Sequence, residues 1–138
     1  MRTAAQPGRT EAQRAGDAAE RLAAERLEGE GWRILGRQVH AGRSELDLVA
    51  VDPGPPARLV VVEVRWRRSR GFGLAEETFD AAKRRRLRAG LGRLLAAGRL
   101  PHGGALPELP PAVDLVVVEP GPEPGGRPRL RHHRDALG

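Results

Sequence analysis

The sequence predicts an α/β domain, a small mixed sheet in α-β-β-β-α-β order flanked by helices. Three observations carry that prediction. The chain has 138 residues, which fits one compact domain and leaves little room for two. Two segments repeat apolar residues at helical spacing, and four short runs alternate or are rich in β-branched residues. No internal repeat competes with this reading.

The first helix rests on Ala15, Ala18, Ala19, Leu22, Ala23 and Leu27, and Gly29 and Gly31 stop it. Trp32 and Ile34 open a first strand with a weaker continuation. Residues 44–51 (SELDLVAV) alternate strictly, which sets Leu46, Leu48 and Ala50 on one face and Glu45, Asp47, Val49 and Val51 on the other. Residues 52–57 (DPGPPA) read as a turn. Residues 58–66 (RLVVVEVRW) have the near-continuous apolar character of a central strand, yet Glu63 and Arg65 share one of its faces.

After a glycine-rich break at 69–73, a second helix is expected from about Thr78 to Ala97. It turns Phe79, Ala82, Leu87, Leu91, Leu94 and Leu95 inward and carries Lys83, Arg84, Arg85, Arg86 and Arg88 on its exposed arc. Gly98 and Pro101 end it. Ala112–Glu119 supplies the last strand. The folding unit is therefore expected over residues 14–119. Residues 1–13 and the Pro/Gly/Arg-rich 120–138 lack periodicity and are expected to be disordered tails.

Composition removes several function classes. The absence of cysteine excludes disulfides, thiol catalysis and thiolate zinc sites, and four scattered histidines show no metal-ligand spacing. No run approaches the ~20 apolar residues of a membrane span and the first 13 residues hold no apolar core of a signal peptide, so a cytoplasmic protein without membrane association is expected. With two Phe, two Trp and no Tyr, the chain lacks the stacking aromatics of an RNA-recognition sheet or a single-strand groove.

Of the 24 basic residues only Lys83 is lysine. A GC-rich coding bias would enrich arginine by itself, so placement says more than abundance. Residues 65–93 hold ten basic and three acidic side chains, leaving 14 basic and 15 acidic elsewhere. All the net charge of +6 arises in that segment, a field suited to a polyanion such as a phosphate backbone. Arg67, Arg68, Arg70, Lys83, Arg84, Arg85 and Arg88 are the candidate nucleic-acid contacts.

The two misplaced strand charges point to chemistry. If the turn at 52–57 closes an antiparallel hairpin with Val51 opposite Leu59, Asp47 falls opposite Glu63, with the side chains ~5 Å apart on one face. Two ionised carboxylates at that distance repel unless a proton or a cation lies between them. Carboxylate and water ligands suit Mg²⁺ or Mn²⁺, which keep several waters and share the rest of their coordination with phosphate. The alternative is that Asp47 or Glu63 pairs with Arg65 or another arginine across the strands. Trp66, with Val60, Val62 and Val64 on the face away from Glu63, reads as core, and so does Trp32. His40 and His102 lie in or near loops, and His132 and His133 lie in the tail.

Five motifs run through the chain in order: Gly16-Asp-Ala-Ala-Glu20, Gly42-Arg-Ser-Glu-Leu-Asp47, Val61-Val-Glu63-Val-Arg65-Trp, Asp80-Ala-Ala-Lys83 and Val113-Asp114. Over roughly residues 16–118 they resemble the YraN-like family of bacterial proteins. The resemblance implies a restriction-endonuclease-like core related to Holliday junction resolvases, with a PD-(D/E)xK active site. Asp47 would then be the motif aspartate, Glu63 its second acid, Arg65 the counterpart of its lysine, and Glu20 the first-helix glutamate of resolvase-like members. Lys83 falls on the family's helix lysine. Ser44-Glu45 departs mildly from the usual Gly-Glu. Arg65 departs more seriously, because a guanidinium stays protonated and cannot act as a base.

The expected function is therefore that of a nucleic-acid-binding protein acting as an Mg²⁺- or Mn²⁺-dependent endonuclease on DNA. Its candidate catalytic set is Glu20, Asp47, Glu63 and Arg65, with Asp47 and Glu63 as metal ligands. Two other classes stay open: an inactive nucleic-acid-binding module, and a protein-interaction factor whose basic helix meets an acidic partner. A homodimer is compatible with either.

Overall fold

The computed structural model describes residues 10–67 and 78–137. Five strands form one sheet in chain order, with β1 (Arg33–Ala41), β2 (Ser44–Asp52) and β3 (Arg58–Trp66) a meander of antiparallel neighbours. Helix α2 (Ala81–Ala97) returns the chain to β4 (Pro111–Glu119), which pairs parallel to β3, and β5 (Arg129–His133) adds antiparallel to β4. Helix α1 (Glu11–Gly29) precedes the sheet. The mixed α/β architecture expected from the sequence is present, with one strand more than predicted.

The helices cover opposite faces, as the two periodicities require. Ala19, Ala23, Ala24 and Leu27 of α1 pack on Leu48, Ala50, Val60, Val62 and Val116, together with Trp32, while Trp66 lies partly buried against the same cluster. Small alanines let α1 lie close to the sheet. Leu87, Leu91 and Leu94 of α2 pack on Val49, Leu59, Val61, Val113 and Val117. β3 and β4 thus bury both faces, which explains their unbroken apolar runs.

Helix ends follow local chemistry. Thr10 caps α1, its hydroxyl accepting from Gln13 N while the Gln13 side chain accepts from Thr10 N. Asp80 caps α2 by accepting from Lys83 N, and Gly98 ends it at φ 70°. Gly90 sets how closely α2 approaches β2, since a Cβ there would stand 3.0 Å from Ser44 Cβ and 3.1 Å from Leu46 Cδ2. Ser44 Oγ donates to Arg86 O across the same contact.

The structure departs from the sequence expectations in three places. Helix α1 begins at Glu11 rather than after residue 13, and the segment beyond residue 119 holds β5 instead of a disordered tail. Its anchors are long-range pairs: the fully buried Asp114 accepts from His132 Nε2 (2.8 Å) and from Asp135 N (3.0 Å), and Arg134 Nε lies 3.0 Å from it. Arg134 also bonds Asp52, and Arg131 Nε lies 3.2 Å from the buried Glu119. His132 is accordingly a structural partner of Asp114, not part of a loose tail.

The third departure lies in β2. Leu46 packs under α2 with Val49, whereas Leu48 and Ala50 pack under α1, so the strict alternation fails between Leu46 and Leu48. The failure falls at Asp47. Paired residues on either side are Val39↔Leu46 and Arg37↔Leu48, and Gln38 between them has φ 48°, a left-handed conformation foreign to a strand.

Candidate active site

Asp47 lies where the β2–β3 ladder stops. The register runs from Asp52↔Arg58 to Leu48↔Val62, so the expected pairing of Val51 with Leu59 is present and the next rung is Asp47 beside Glu63. That rung is not a backbone pair. The Val64 N–H, which a continued ladder would give to β2 backbone, is donated to Asp47 Oδ2 at 2.8 Å. The break in alternation at Asp47 thus converts a strand position into a fixed carboxyl.

Glu63 is 3% exposed. Its Oε2 faces Lys83 Nζ at 3.1 Å and Arg65 Nε at 3.4 Å, while its buried Oε1 meets no donor. The Arg65 contact is an ion pair outside hydrogen-bond geometry, since Arg65 Nε makes no hydrogen bond. Glu20, on α1, accepts from Gln38 Nε2 at 3.3 Å, so the residue with the unusual backbone orients the third acid.

The electrostatics follow from this crowding. Burial first, then the neighbouring Glu63 charge, pushes the Asp47 carboxyl up to about 8, against the pull of the Val64 N–H. Burial likewise raises Glu20, opposed by the Gln38 amide and reinforced by Glu45 and Glu63. Asp47 therefore keeps its proton at neutral pH.

A divalent cation could take the proton's place. Asp47 and Glu63 fit Mg²⁺ or Mn²⁺ as a pair of oxygen donors, one of them a buried oxygen with nothing to bond. Among the described residues no group of three or more His, Asp or Glu is placed to enclose a metal, so water and phosphate would complete the shell.

The candidate set thus divides. Asp47, Glu63 and Arg65 come together where the β2–β3 ladder ends, with Glu20 close enough to bear on the Asp47 charge. Arg84, Arg85 and Arg88 are exposed on α2, Arg84 stacking 5.3 Å over the Phe79 ring. Arg67 instead donates to the buried Glu119 at 3.1 Å and is largely covered itself. Arg68, Arg70 and the break at 69–73 lie outside the described residues.

Lys83 was placed on the exposed arc by sequence and instead reaches into the acid cluster. The signal was available. Lys83 precedes Leu87 by four residues and Gly90 by seven, so it lies on the buried stripe of α2, where a charge needs a partner. The role of Gln38 left no such signal.

The model of the family described as "Uncharacterised protein family UPF0102" matches residues 19–118, a span that holds Glu20, Asp47, Glu63, Arg65 and Lys83. A UPF0102 protein of Symbiobacterium thermophilum is 43% identical over 124 residues, covering 90% of this chain and 96% of its own length. One from Pseudomonas putida is 39% identical over 115 residues, 83% of this chain and 86% of its own, and one from Roseiflexus castenholzii is 39% identical over 108 residues, 78% and 81%. The chain belongs to the UPF0102 family, the YraN-like group its motifs resemble.

Proposed function

We propose that this protein binds DNA and hydrolyses its phosphodiester bonds with a divalent cation held by Asp47 and Glu63. The observation that carries the reading is the carboxyl pair itself. A protein gains nothing in stability by holding a buried acid with an unpartnered oxygen against a second acid whose pKa is forced to about 8. The restriction-endonuclease-like core that the family resemblance implies supports the same reading, and here the acids lie on neighbouring strands where their ladder ends, with helices on both faces of the sheet.

When bound, Mg²⁺ or Mn²⁺ supplies electrophilic activation of the phosphate and a more acidic water. The chain's own residues do the rest. Val64 N–H and the strand break fix Asp47, while Lys83 and Arg65 hold Glu63. Arg65, partly exposed beside Glu63, adds positive charge at the rim of the site. Glu20 and Gln38 hold the α1 side of the site. Arg84, Arg85 and Arg88 grip the backbone and position the strand without reading its sequence.

The test is cleavage of branched and linear DNA in Mn²⁺, run on native and Asp47→Asn proteins beside an EDTA control. Cleavage that needs Mn²⁺ and disappears in Asp47→Asn supports the proposal. Cleavage that survives Asp47→Asn removes the site from the chemistry, and salt-sensitive binding without any cleavage favours the binding-module reading.

A further inference from the structure

Among the 24 basic residues of this chain there is one lysine, and it touches the buried acid of the candidate site. Arg65 and Lys83 both face Glu63, so a single lysine falling at random among the 24 basic positions would meet that acid about one time in 12. Glu63 meets two cations from different elements, and the nearer is Lys83 at 3.1 Å, not Arg65 of its own strand at 3.4 Å. Both contacts are ion pairs, and the lysine's is the shorter.

The chemistry of the two cations differs. An ammonium is compact and carries three donors that rotate freely about its last carbon, whereas a guanidinium is a rigid planar fork. With its ammonium facing Glu63 Oε2, Lys83 keeps N–H groups for another oxygen. Its backbone is fixed as well, because Lys83 N donates to the Asp80 carboxylate that caps α2, in the first turn of the helix. Its side chain is about one-fifth exposed, so the remaining N–H groups are only partly hydrated.

We infer that Lys83, reaching across from α2, supplies the ammonium that positions Glu63 and binds an anionic oxygen of the phosphate, and that Arg65 does not fill this role. The inference rests on the hydrolytic reading and deepens it. It assigns the site's ammonium to a helix residue that a search along β3 alone would pass over, and it leaves Arg65 as an outer contact.

An ion pair kept only for structure is satisfied by arginine, which gives the test its handle. Native protein, Lys83→Arg, Lys83→Gln and the double variant Arg65→Lys/Lys83→Arg are compared in Mn²⁺. Two readouts are taken: kcat and KM for branched DNA, and the affinity ratio between a 5′-phosphorylated oligonucleotide and its 5′-hydroxyl twin. The expected result is that Lys83→Arg keeps the melting temperature and KM of the native protein while kcat falls about 100-fold, the scale of losing one transition-state donor. The preference for the 5′-phosphate should vanish in Lys83→Arg and Lys83→Gln and return in part, with activity, in the double variant. A Lys83→Arg protein with native kcat and native phosphate preference overturns the inference while the hydrolytic reading stands. A native protein that does not cleave removes that reading, yet loss of its phosphate preference on Lys83→Arg still upholds the Lys83 contact. If native protein neither cleaves nor prefers the phosphate, both fall together.

Discussion

At the scale of single residues, Asp47 controls the site because three features meet on it: a ladder that stops, a side chain that takes a backbone donor, and a second acid in contact. Its raised pKa carries a definite sign for stability. An unfolded chain ionises this carboxyl at its ordinary 3.8, while the folded chain holds the proton to about 8. The folded state therefore binds more protons between those values, and the stabilisation present below pH ~4 is lost as pH rises toward 8. Asn at position 47 keeps an oxygen for Val64 N–H and carries no charge to repel Glu63. Asp47→Asn should accordingly raise the melting temperature of the metal-free protein at pH 8, by about 4 °C for each ~1 kcal/mol relieved, and leave it nearly unchanged at pH 4. Thermal unfolding at the two pH values measures this, and a variant that melts lower at pH 8 would make Asp47 half of a structural ion pair.

Among elements, α2 and β5 divide the basic residues into two kinds. Those on the outer arc of α2 face solvent, whereas Arg67, Arg131 and Arg134 hold buried acids of β2 and β4. The sequence showed β1 to β4 and both helices because their apolar residues repeat with the period of the element. It hid β5, whose five residues include one aliphatic side chain and whose place is set by Asp114, Asp52 and Glu119, far away in the chain. No local pattern records such pairs. Asp114→Ala leaves His132, Arg134 and the Asp135 N–H without their buried acceptor, so a loss of about 3 kcal/mol is expected, as for other broken buried pairs. Urea unfolding of the variant measures it. A loss under ~1 kcal/mol would show that β5 adds little to the fold.

For the molecule as a whole, the net charge of +6 concentrated in residues 65–93 predicted a polyanion partner, and the fold alters which side chains of that segment can serve it. Arg67 is spent on Glu119 and Lys83 turns inward to Glu63 in the candidate site, while Arg84, Arg85 and Arg88 remain on the surface. Replacing those three by Gln should weaken duplex binding and make the slope of log K against log salt shallower by about 2.7, at ~0.9 per phosphate contact. Arg67→Gln should leave the slope alone and lower the stability. Fluorescence anisotropy across a salt series separates the two cases, and an unchanged slope in the triple variant would place the nucleic-acid contact elsewhere.

The register that sets Asp47 beside Glu63 was legible from one turn and one hairpin, since Val51 opposite Leu59 determines every later rung. Gln38 and the break at Asp47 were not legible, because alternation read from residue types assumes an unbroken strand. No helix among the described residues is long and apolar enough to cross a membrane.

The central claim is that Asp47 and Glu63 form a cation site closed by a proton when the cation is absent. Its most direct test is the melting temperature of native and Asp47→Asn proteins titrated with Mn²⁺ from pH 6 to pH 9. A ligand that binds only the folded state must raise the melting temperature, and binding that displaces the Asp47 proton should strengthen by about tenfold per pH unit up to pH 8 and then level off. The account predicts that pH-dependent rise in the native protein and its absence in Asp47→Asn. No shift in the native protein at pH 8, or an equal shift in both proteins, would contradict it.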